Sequence, residues 1–265
     1  MNKKKLILLF TVYCLLFTKF AFAFREMEDY LFQYEKYREI YDQFTVSRDK
    51  FLKYEILSVR EQAIEALKKL LLQRNQTLRT YFLVLKYKLR NTPGVVGNQI
   101  DDNLIGQLDK KIIWFEEESE EVENFSNPSL NDLFILSDRI EAKEKEFVQI
   151  AYQSLGEVIL GKIRSLQQES VAITTLLKDE VSESESATQS AQLNLWLKEV
   201  DVKNYLARKE IEAAEINLWN LRGTRGLVQM KIHFNNLKID TEDARIQLKQ
   251  AYSFQDEIYS ALSND

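Results

Sequence analysis

The sequence contains very little glycine and proline for its length. Among 265 residues there are seven glycines and two prolines. Turn-rich all-β folds need many of both, because glycine supplies positive φ angles and proline fixes turn geometry. The scarcity therefore argues against a β-sandwich or barrel and favours long helices.

The chain also has a single cysteine, Cys14, so no intramolecular disulfide can form. It lies in a segment with the pattern of a secretory signal peptide. That pattern has three parts: a basic start (Lys3, Lys4, Lys5), an apolar run over 6–17, and the cleavage pattern Ala21-Phe22-Ala23. We expect residues 1–23 to be removed and the protein to be extracytoplasmic, whether periplasmic, cell-surface or secreted. An uncleaved N-terminal membrane anchor is the alternative.

The rest of the chain is acidic. Residues 1–23 hold four lysines and no acid, which leaves 32 basic and 41 acidic residues after cleavage. A negative balance disfavours binding to nucleic acid and to anionic lipid. No later segment approaches roughly 18 consecutive apolar residues, so no transmembrane segment is expected after signal cleavage.

Histidine is nearly absent, and His233 is the only one. A Ser-His-Asp triad would have to use it, and a zinc site needs several His or Cys ligands.

The stretch 156–162 has P-loop spacing, but Ile163 stands where a Ser or Thr must bind magnesium. Two small residues at a close helix approach are the preferred interpretation. The stretch 101–106 resembles the start of an EF-hand loop, yet Ile112 occupies the last ligand position and cannot bind calcium. We therefore predict no catalytic residue, no metal site, no cofactor and no enzymatic activity.

Apolar residues repeat every seven positions over 186–262, which predicts one very long helix. One seam with 4–3 spacing begins at Leu193, and a second seam, out of phase with it, begins at Leu227. Two seams on one helix indicate two neighbouring helices. Because the phase of the first seam continues through Gly223 and Gly226, we expect a continuous or gently kinked helix there and not a hairpin. The second seam comprises Leu227, Met230, Phe234, Leu237, Ala244, Leu248, Ala251, Ile258 and Leu262.

The two prolines mark the clearest breaks before this helix. Pro93, followed by glycine, and Pro128 each stop a helix and turn the chain. Earlier helices are expected over about 25–90, 99–122 and 129–181, with the first either continuous or broken near 45–48. The predicted fold class is all-α, an elongated antiparallel helical bundle with coiled-coil character. It has about four helices and forms a single domain over 24–265.

Five aromatic residues share one face at the start of the first helix. Their 4–3 spacing is helical, although aromatic residues taken singly favour strands. Tyrosine combines a large apolar ring with a hydroxyl that can remain hydrated. The face therefore either fills a wide gap between helices or forms an interaction surface. Its members are Tyr30, Tyr34, Tyr37, Tyr41 and Phe44.

Two polar residues fall on the first seam of the long helix, Asn204 and Arg225. A buried asparagine at such a position fixes the register of pairing at some cost in stability. Arg225 can pair with a carboxylate on a neighbouring helix, and an anion site is the alternative. We predict that both are buried polar residues that set register.

The leading functional hypothesis is an exported, non-enzymatic helical module with a structural or protein-interaction role. Its partner is expected to be another protein or a second copy of the chain. The alternative is a helical ligand-binding or sensor-type domain with a pocket near the tyrosine-rich start of the first helix. A third hypothesis, an enzyme that uses paired carboxylates, has no pair that stands out by spacing.

Overall fold

The computed structural model describes residues 3–54, 56–95, 100–183 and 187–263, with side chains within 26–54, 56–95, 103–182 and 191–263. These residues form seven helices and no strand, so the all-α prediction is confirmed and the count of about four helices is too low. The helices are α1 (Lys3–Tyr54), α2 (Leu57–Asn91), α3 (Ile100–Asn124), α4 (Leu130–Ala142), α5 (Glu144–Glu183), α6 (Ala187–Gly223) and α7 (Leu227–Ser263). The side chains of the predicted signal peptide lie outside the described residues. Within the described part of the chain, no helix is both long and apolar enough to cross a membrane.

The chain divides into two compact units. Unit 1 comprises Met1–Arg90 and Asp102–Glu144, and unit 2 comprises Asn91–Asp101 and Lys145–Asp265. Each unit has an apolar core of its own. In unit 1, leucine-rich faces of α2 and α4 meet one side of α1 and the end of α3. The buried cluster there contains Phe44, Leu67, Leu70, Leu71, Val122, Leu133 and Leu136.

The first predicted helix is divided, but not near 45–48. Helix α1 continues through that stretch and ends at Tyr54. The hydroxyls of Thr45 and Ser47 donate hydrogen bonds to the carbonyls of Tyr41 and Gln43, both at 3.0 Å. Side chains that bond one turn back in this way remain compatible with a helix, so neither of them caps a new one.

The predicted helix over 129–181 is also two helices. Helix α4 ends at Ala142, and Lys143 adopts φ −97° and ψ 0°, with its N–H turned to the carbonyls of Ile140 and Glu141. The Lys143 ammonium lies 4.3 Å from the centre of the Trp114 ring. Nothing in the sequence around Lys143 resembles a helix stop, because no glycine or proline is present.

Helix α4 begins with a capping box. Ser129 Oγ accepts a hydrogen bond from the Asp132 N–H at 3.2 Å, and the Ser129 N–H donates to Asp132 Oδ2 at 2.8 Å. These hydrogen bonds hold the pKa of Asp132 below its usual value. Ser129 and Asp132 therefore satisfy two backbone N–H groups at the start of α4.

We expect Ser129→Ala to lower the melting temperature by about 2–4 °C at neutral pH. Because the folded pKa of Asp132 is depressed, the stabilisation is complete above the ordinary carboxyl pKa. It is lost as the pH falls through the folded pKa. The difference between wild type and variant should therefore shrink in acid. Thermal melts from neutral to acidic pH test this, with the exposed Ser126→Ala as control; a difference that stays constant with pH would contradict it.

The long C-terminal helix is an antiparallel hairpin, so the prediction of a continuous helix was wrong. Helix α6 ends at Gly223, and α7 begins at Leu227 after a turn of three residues. Near the turn, Asn217 Nδ2 donates to Asp240 Oδ2 at 2.8 Å. At the far end, Leu193 and Ile258 share a buried cluster. The two helices therefore run side by side in opposite directions.

The two predicted seams belong to two different helices. The first seam is buried only along α6, from Leu193 to Leu221. Beyond the turn its members Ile232, Ile239 and Ile246 are exposed, while the second seam is buried along α7 from Met230 to Ile258. Both seams pack with α5 around one core. That core contains Leu160, Ile163, Ala207, Ile211, Ala214, Leu218, Leu237, Ala244 and Leu248.

The end of α6 is fixed by side chains from α5. The Gln149 amide donates to the carbonyls of Arg222 at 2.9 Å and Thr224 at 3.3 Å, which the helix itself leaves without partners. The Arg222 guanidinium also bonds to Glu157, a carboxylate that is almost fully buried. Gly223 and these polar contacts together stop the helix.

The glycines of the stretch 156–162 allow close packing, as their small size predicts. A Cβ on Gly156 would lie 2.9 Å from Leu218 Cδ1 and 3.1 Å from Leu237 Cδ1, so the missing side chain lets α5 approach α6 and α7. Gly161 packs against the backbone of the loop over 92–95 and not against a helix. This loop belongs to unit 2 and contacts α5.

Candidate functional site

The aromatic face of α1 divides into an inner and an outer line. Phe44 is only 7% exposed and belongs to the core of unit 1, while Tyr30 and Tyr37 are half-buried. Tyr34 and Tyr41 are 43% and 48% exposed. One edge of the face therefore packs against the rest of unit 1, and the other edge meets solvent.

The tyrosines contact one another along the helix. The ring centres of Tyr30 and Tyr34 are 6.2 Å apart, as are those of Tyr37 and Tyr41. Tyr30 also lies 5.3 Å from Tyr81 of α2, at an interplanar angle of 47°. Burial raises the pKa of Tyr30 and of Tyr37, so both hydroxyls keep their protons over the physiological range.

A buried guanidinium lies close to the inner line. Arg74 of α2 donates from Nη1 to Ser137 Oγ of α4 at 2.9 Å. Burial lowers the pKa of Arg74, and the nearby Tyr37 and the carboxylates of Glu141 and Glu118 oppose that shift. Its Nε and Nη2 atoms are buried without a hydrogen bond to the described residues. Arg74 is a polar feature that sequence analysis missed, since nothing along α2 distinguishes it from a surface arginine.

A groove of about 450 Å³ runs beside the aromatic face, bounded by α1, α2 and α3. The Gln73 amide, which lines it, donates to the backbone carbonyl of Gln33 at 3.1 Å. Thr77 Oγ1 donates to the same carbonyl at 3.0 Å, so two side chains of α2 hold α1 in place. The groove offers ammonium, amide, hydroxyl and carboxylate groups over an apolar floor. Its lining is Lys36, Ile40, Lys69, Leu72, Gln73, Gln76, Ser119 and Glu123.

Three of the six glutamates over 116–123, at the end of α3, form ion pairs with arginines. Arg79 Nε donates to Glu116 at 2.7 Å, and Arg139 Nη1 bonds to Glu121 at 2.6 Å. Glu118 is nearly buried, which raises its pKa despite the neighbouring Arg139. Among the described residues, no group of three or more His, Cys, Asp or Glu side chains is arranged to hold a metal ion.

The two residues predicted to be buried and to set register have different positions. Asn204 is 7% exposed and lies in the core of unit 2. Arg225 lies in the turn between α6 and α7 and is exposed, so its predicted burial was wrong. Arg225 was assigned to the seam by a seven-residue repeat that extends across this turn, where the chain is not helical.

Asn204 belongs to a polar layer that joins three helices. Ser170 Oγ donates to Asn204 Oδ1 at 2.8 Å, and Asn204 Nδ2 donates to Thr174 Oγ1 at 3.3 Å. Gln255 of α7 completes the layer, since its amide donates to the Ser170 carbonyl at 2.7 Å and to Thr174 Oγ1 at 2.9 Å. All four residues are buried. The layer links α5, α6 and α7 at one height, and sequence analysis identified only its α6 member.

Comparison with known proteins adds no further assignment. No protein family, no curated protein and no solved structure matches the chain.

Proposed function

We propose that the protein is an exported, non-enzymatic helical module that acts through protein–protein contacts. One observation carries the proposal: an exposed apolar line on α1 continues the outer edge of the aromatic face. Met27, Leu31, Tyr34 and Tyr41 are 37–49% exposed and recur at helical spacing. Tyrosine and methionine are enriched at protein interfaces, and large contiguous apolar patches are uncommon on monomers.

Two further features belong to the proposal. The signal-peptide pattern of residues 1–23 supports an extracytoplasmic location. The 4–3 spacing of buried residues along α6 and α7 supports coiled-coil packing within an antiparallel bundle. Such packing gives a rigid scaffold that presents a helix face to a partner.

Site-specific photocrosslinking in cells that express the chain tests this role. A photoreactive amino acid at Tyr34 or Tyr41 should give one adduct of defined mass. The same group at Glu39, which is exposed on another side of α1, should not give that adduct. A partner held by the apolar line should also be lost in the Tyr34→Ser/Tyr41→Ser variant. Equal labelling at all three positions, or none at any, would contradict an interface on this face.

A ligand-binding role is the second candidate, and the groove beside the aromatic face favours it. The groove is lined on α1 by Lys36 and Ile40, which adjoin Tyr37 and Tyr41 in the sequence. Its mixed lining fits a polar ligand such as a peptide or a sugar. Titration with both classes should change tyrosine fluorescence if this role is correct, and flat titrations would remove it.

A further inference from the structure

The side of α6 that faces away from the core carries a second regular pattern. We call this the outer face of α6; its positions alternate by three and four residues, the spacing of a coiled-coil seam. Five of the eight residues are apolar, and these five are 49–71% exposed. The outer face consists of Leu195, Lys198, Val202, Tyr205, Lys209, Glu212, Ile216 and Trp219.

The outer face is separate from the packed seam. Val202 follows the buried Leu197 by five residues, which places it about 140° around the helix axis. Helices α5 and α7 cover the opposite side, where Leu193, Ala207 and Leu221 are fully buried. A helix with two apolar seams is expected to pack against neighbours on both sides. Among the described residues of unit 2, only α5 and α7 pack against α6, and both lie on the side opposite the outer face.

The charges on this face select a particular partner and register. In an antiparallel pair of identical helices, each layer joins a residue of one line to a residue of the other line. With the two-fold axis between positions 210 and 211, Lys209 faces Glu212 of the second copy. In the same register Val202 faces Trp219 of the second copy, and Tyr205 faces Ile216 of the second copy. Each of the six layers between Val202 and Trp219 is then apolar with apolar or basic with acidic. Leu195 and Lys198 lie opposite the end of α6 and the turn of the second copy, outside these layers.

The neighbouring registers lack this match. A shift of one heptad sets Lys198 against Ile216 of the second copy and Glu212 against Val202 of the second copy. A shift of two heptads sets Lys198 against Lys209 of the second copy. Like charges in a seam and charges against apolar groups both cost free energy. The register with four apolar layers and two ion pairs is therefore the favoured one.

The charged residues of the outer face make only weak contacts within one chain. Within one chain Arg208 bonds to Glu212 at 3.0 Å, and the Lys209 ammonium lies 4.9 Å from the Tyr205 ring. These contacts are exposed and weak, so they can exchange for contacts across an interface.

We propose that two copies of this chain associate through the outer faces of α6, antiparallel and in the register that pairs Lys209 with Glu212. The contact from Val202 to Trp219 spans roughly 27 Å of helix. An interface of this length buries on the order of 1,000 Å² in total, at the lower end for specific complexes. The association should therefore depend on concentration over an accessible range. The proposal extends the interaction role proposed above, but it concerns a surface distinct from the apolar line of α1.

Sedimentation equilibrium of the purified full chain measures the association. We expect the mass to rise from monomer to dimer with concentration. Lys209→Glu or Glu212→Lys alone should raise the dissociation constant about tenfold, and the double swap should return it to within about threefold of wild type. Lys249→Glu, an exposed change on α7 with the same charge difference as Lys209→Glu, should have little effect. A monomer at all concentrations, or a double swap no better than the single changes, would overturn the proposal.

Disulfide crosslinking in the Cys14→Ser background tests the register. A mixture of the Val202→Cys and Trp219→Cys chains should form a mixed disulfide dimer, while neither chain alone should crosslink. Self-crosslinking of each variant alone would indicate parallel pairing and refute the arrangement. Tyr205 and Lys209 face each other only in the register shifted by one heptad. If Tyr205→Cys and Lys209→Cys chains crosslinked more readily than Val202→Cys and Trp219→Cys chains, the proposed register would be refuted. Because no position on α1 is altered, failure here leaves the photocrosslinking test of the α1 line unaffected, and the two proposals fail independently.

Discussion

Replacing Gly94 with alanine should lower the free energy of unfolding of unit 2 by about 3 kcal/mol. Gly94 has a φ of +74°, a conformation that residues with a Cβ adopt at a cost. The added Cβ would lie 2.2 Å from the Gly161 carbonyl oxygen and 2.9 Å from the Ser165 nitrogen. Both neighbours are backbone atoms of α5, which cannot rotate away as a side chain does. The loop over 92–95 must therefore move off the helix or carry strain.

Gly161→Ala tests the same contact from the other side. Its Cβ would lie 2.6 Å from Val95 Cγ2 and 2.8 Å from the Val95 nitrogen. Because alanine favours a helix over glycine by about 1 kcal/mol, part of the packing cost is offset, and we expect a smaller loss than at Gly94. Gly106→Ala is the matched control, since its Cβ meets no atom within 4 Å.

Urea unfolding followed by circular dichroism measures all three variants. The midpoint should fall most for Gly94→Ala, less for Gly161→Ala, and should stay level or rise for Gly106→Ala. An unchanged midpoint for Gly94→Ala would mean that the loop does not pack on α5. A loss of similar size in Gly106→Ala would show that the effect belongs to alanine and not to the contact.

The helical class could be predicted from the sequence because periodicity acts locally. Buried positions of α6 and α7 follow the predicted 4–3 spacing closely, including Leu197, Ile211 and Leu248. The hairpin was missed because each helix keeps a seven-residue period of its own. Leu218 and Ile232 are 14 residues apart, which is two heptads, although a three-residue turn lies between them. The seven-residue repeat therefore continues across the turn and does not reveal it.

The contacts of the candidate sites were less predictable, because they join residues far apart in the chain. The Gln73 amide donates to a carbonyl that is 40 residues away in the sequence, and the Gln255 amide donates to the Ser170 carbonyl, which is 85 residues away. No local pattern distinguishes such residues from solvated ones. One local signal for the hairpin does exist: the second seam starts at Leu227, immediately after Gly226, although two seams on one helix also predict two neighbours.

Asn204→Ala should lower the free energy of unfolding by about 2–3 kcal/mol. The change removes one hydrogen bond from Ser170 and one to Thr174, and it leaves a buried hydroxyl without its acceptor. Both hydroxyls are fully enclosed, so water cannot replace the lost amide without entering the core. The cost therefore comes mainly from the groups left behind.

Removing the whole layer separates this explanation from simple loss of volume. The variant Ser170→Ala/Thr174→Val/Asn204→Leu/Gln255→Leu leaves no polar group unsatisfied, and its stability should lie within about 1 kcal/mol of wild type. In urea unfolding, the free energies of unfolding of wild type and the fourfold variant should be similar, and both should be higher than that of Asn204→Ala. If the fourfold variant were the least stable, the layer would contribute net stability through its own hydrogen bonds. If it were stable but lost the near-ultraviolet dichroism of a single packed state, the layer would act by fixing the alignment of α5, α6 and α7. In that last case the outer face of α6 would also be less well ordered, and the fourfold variant should dimerise less tightly than wild type.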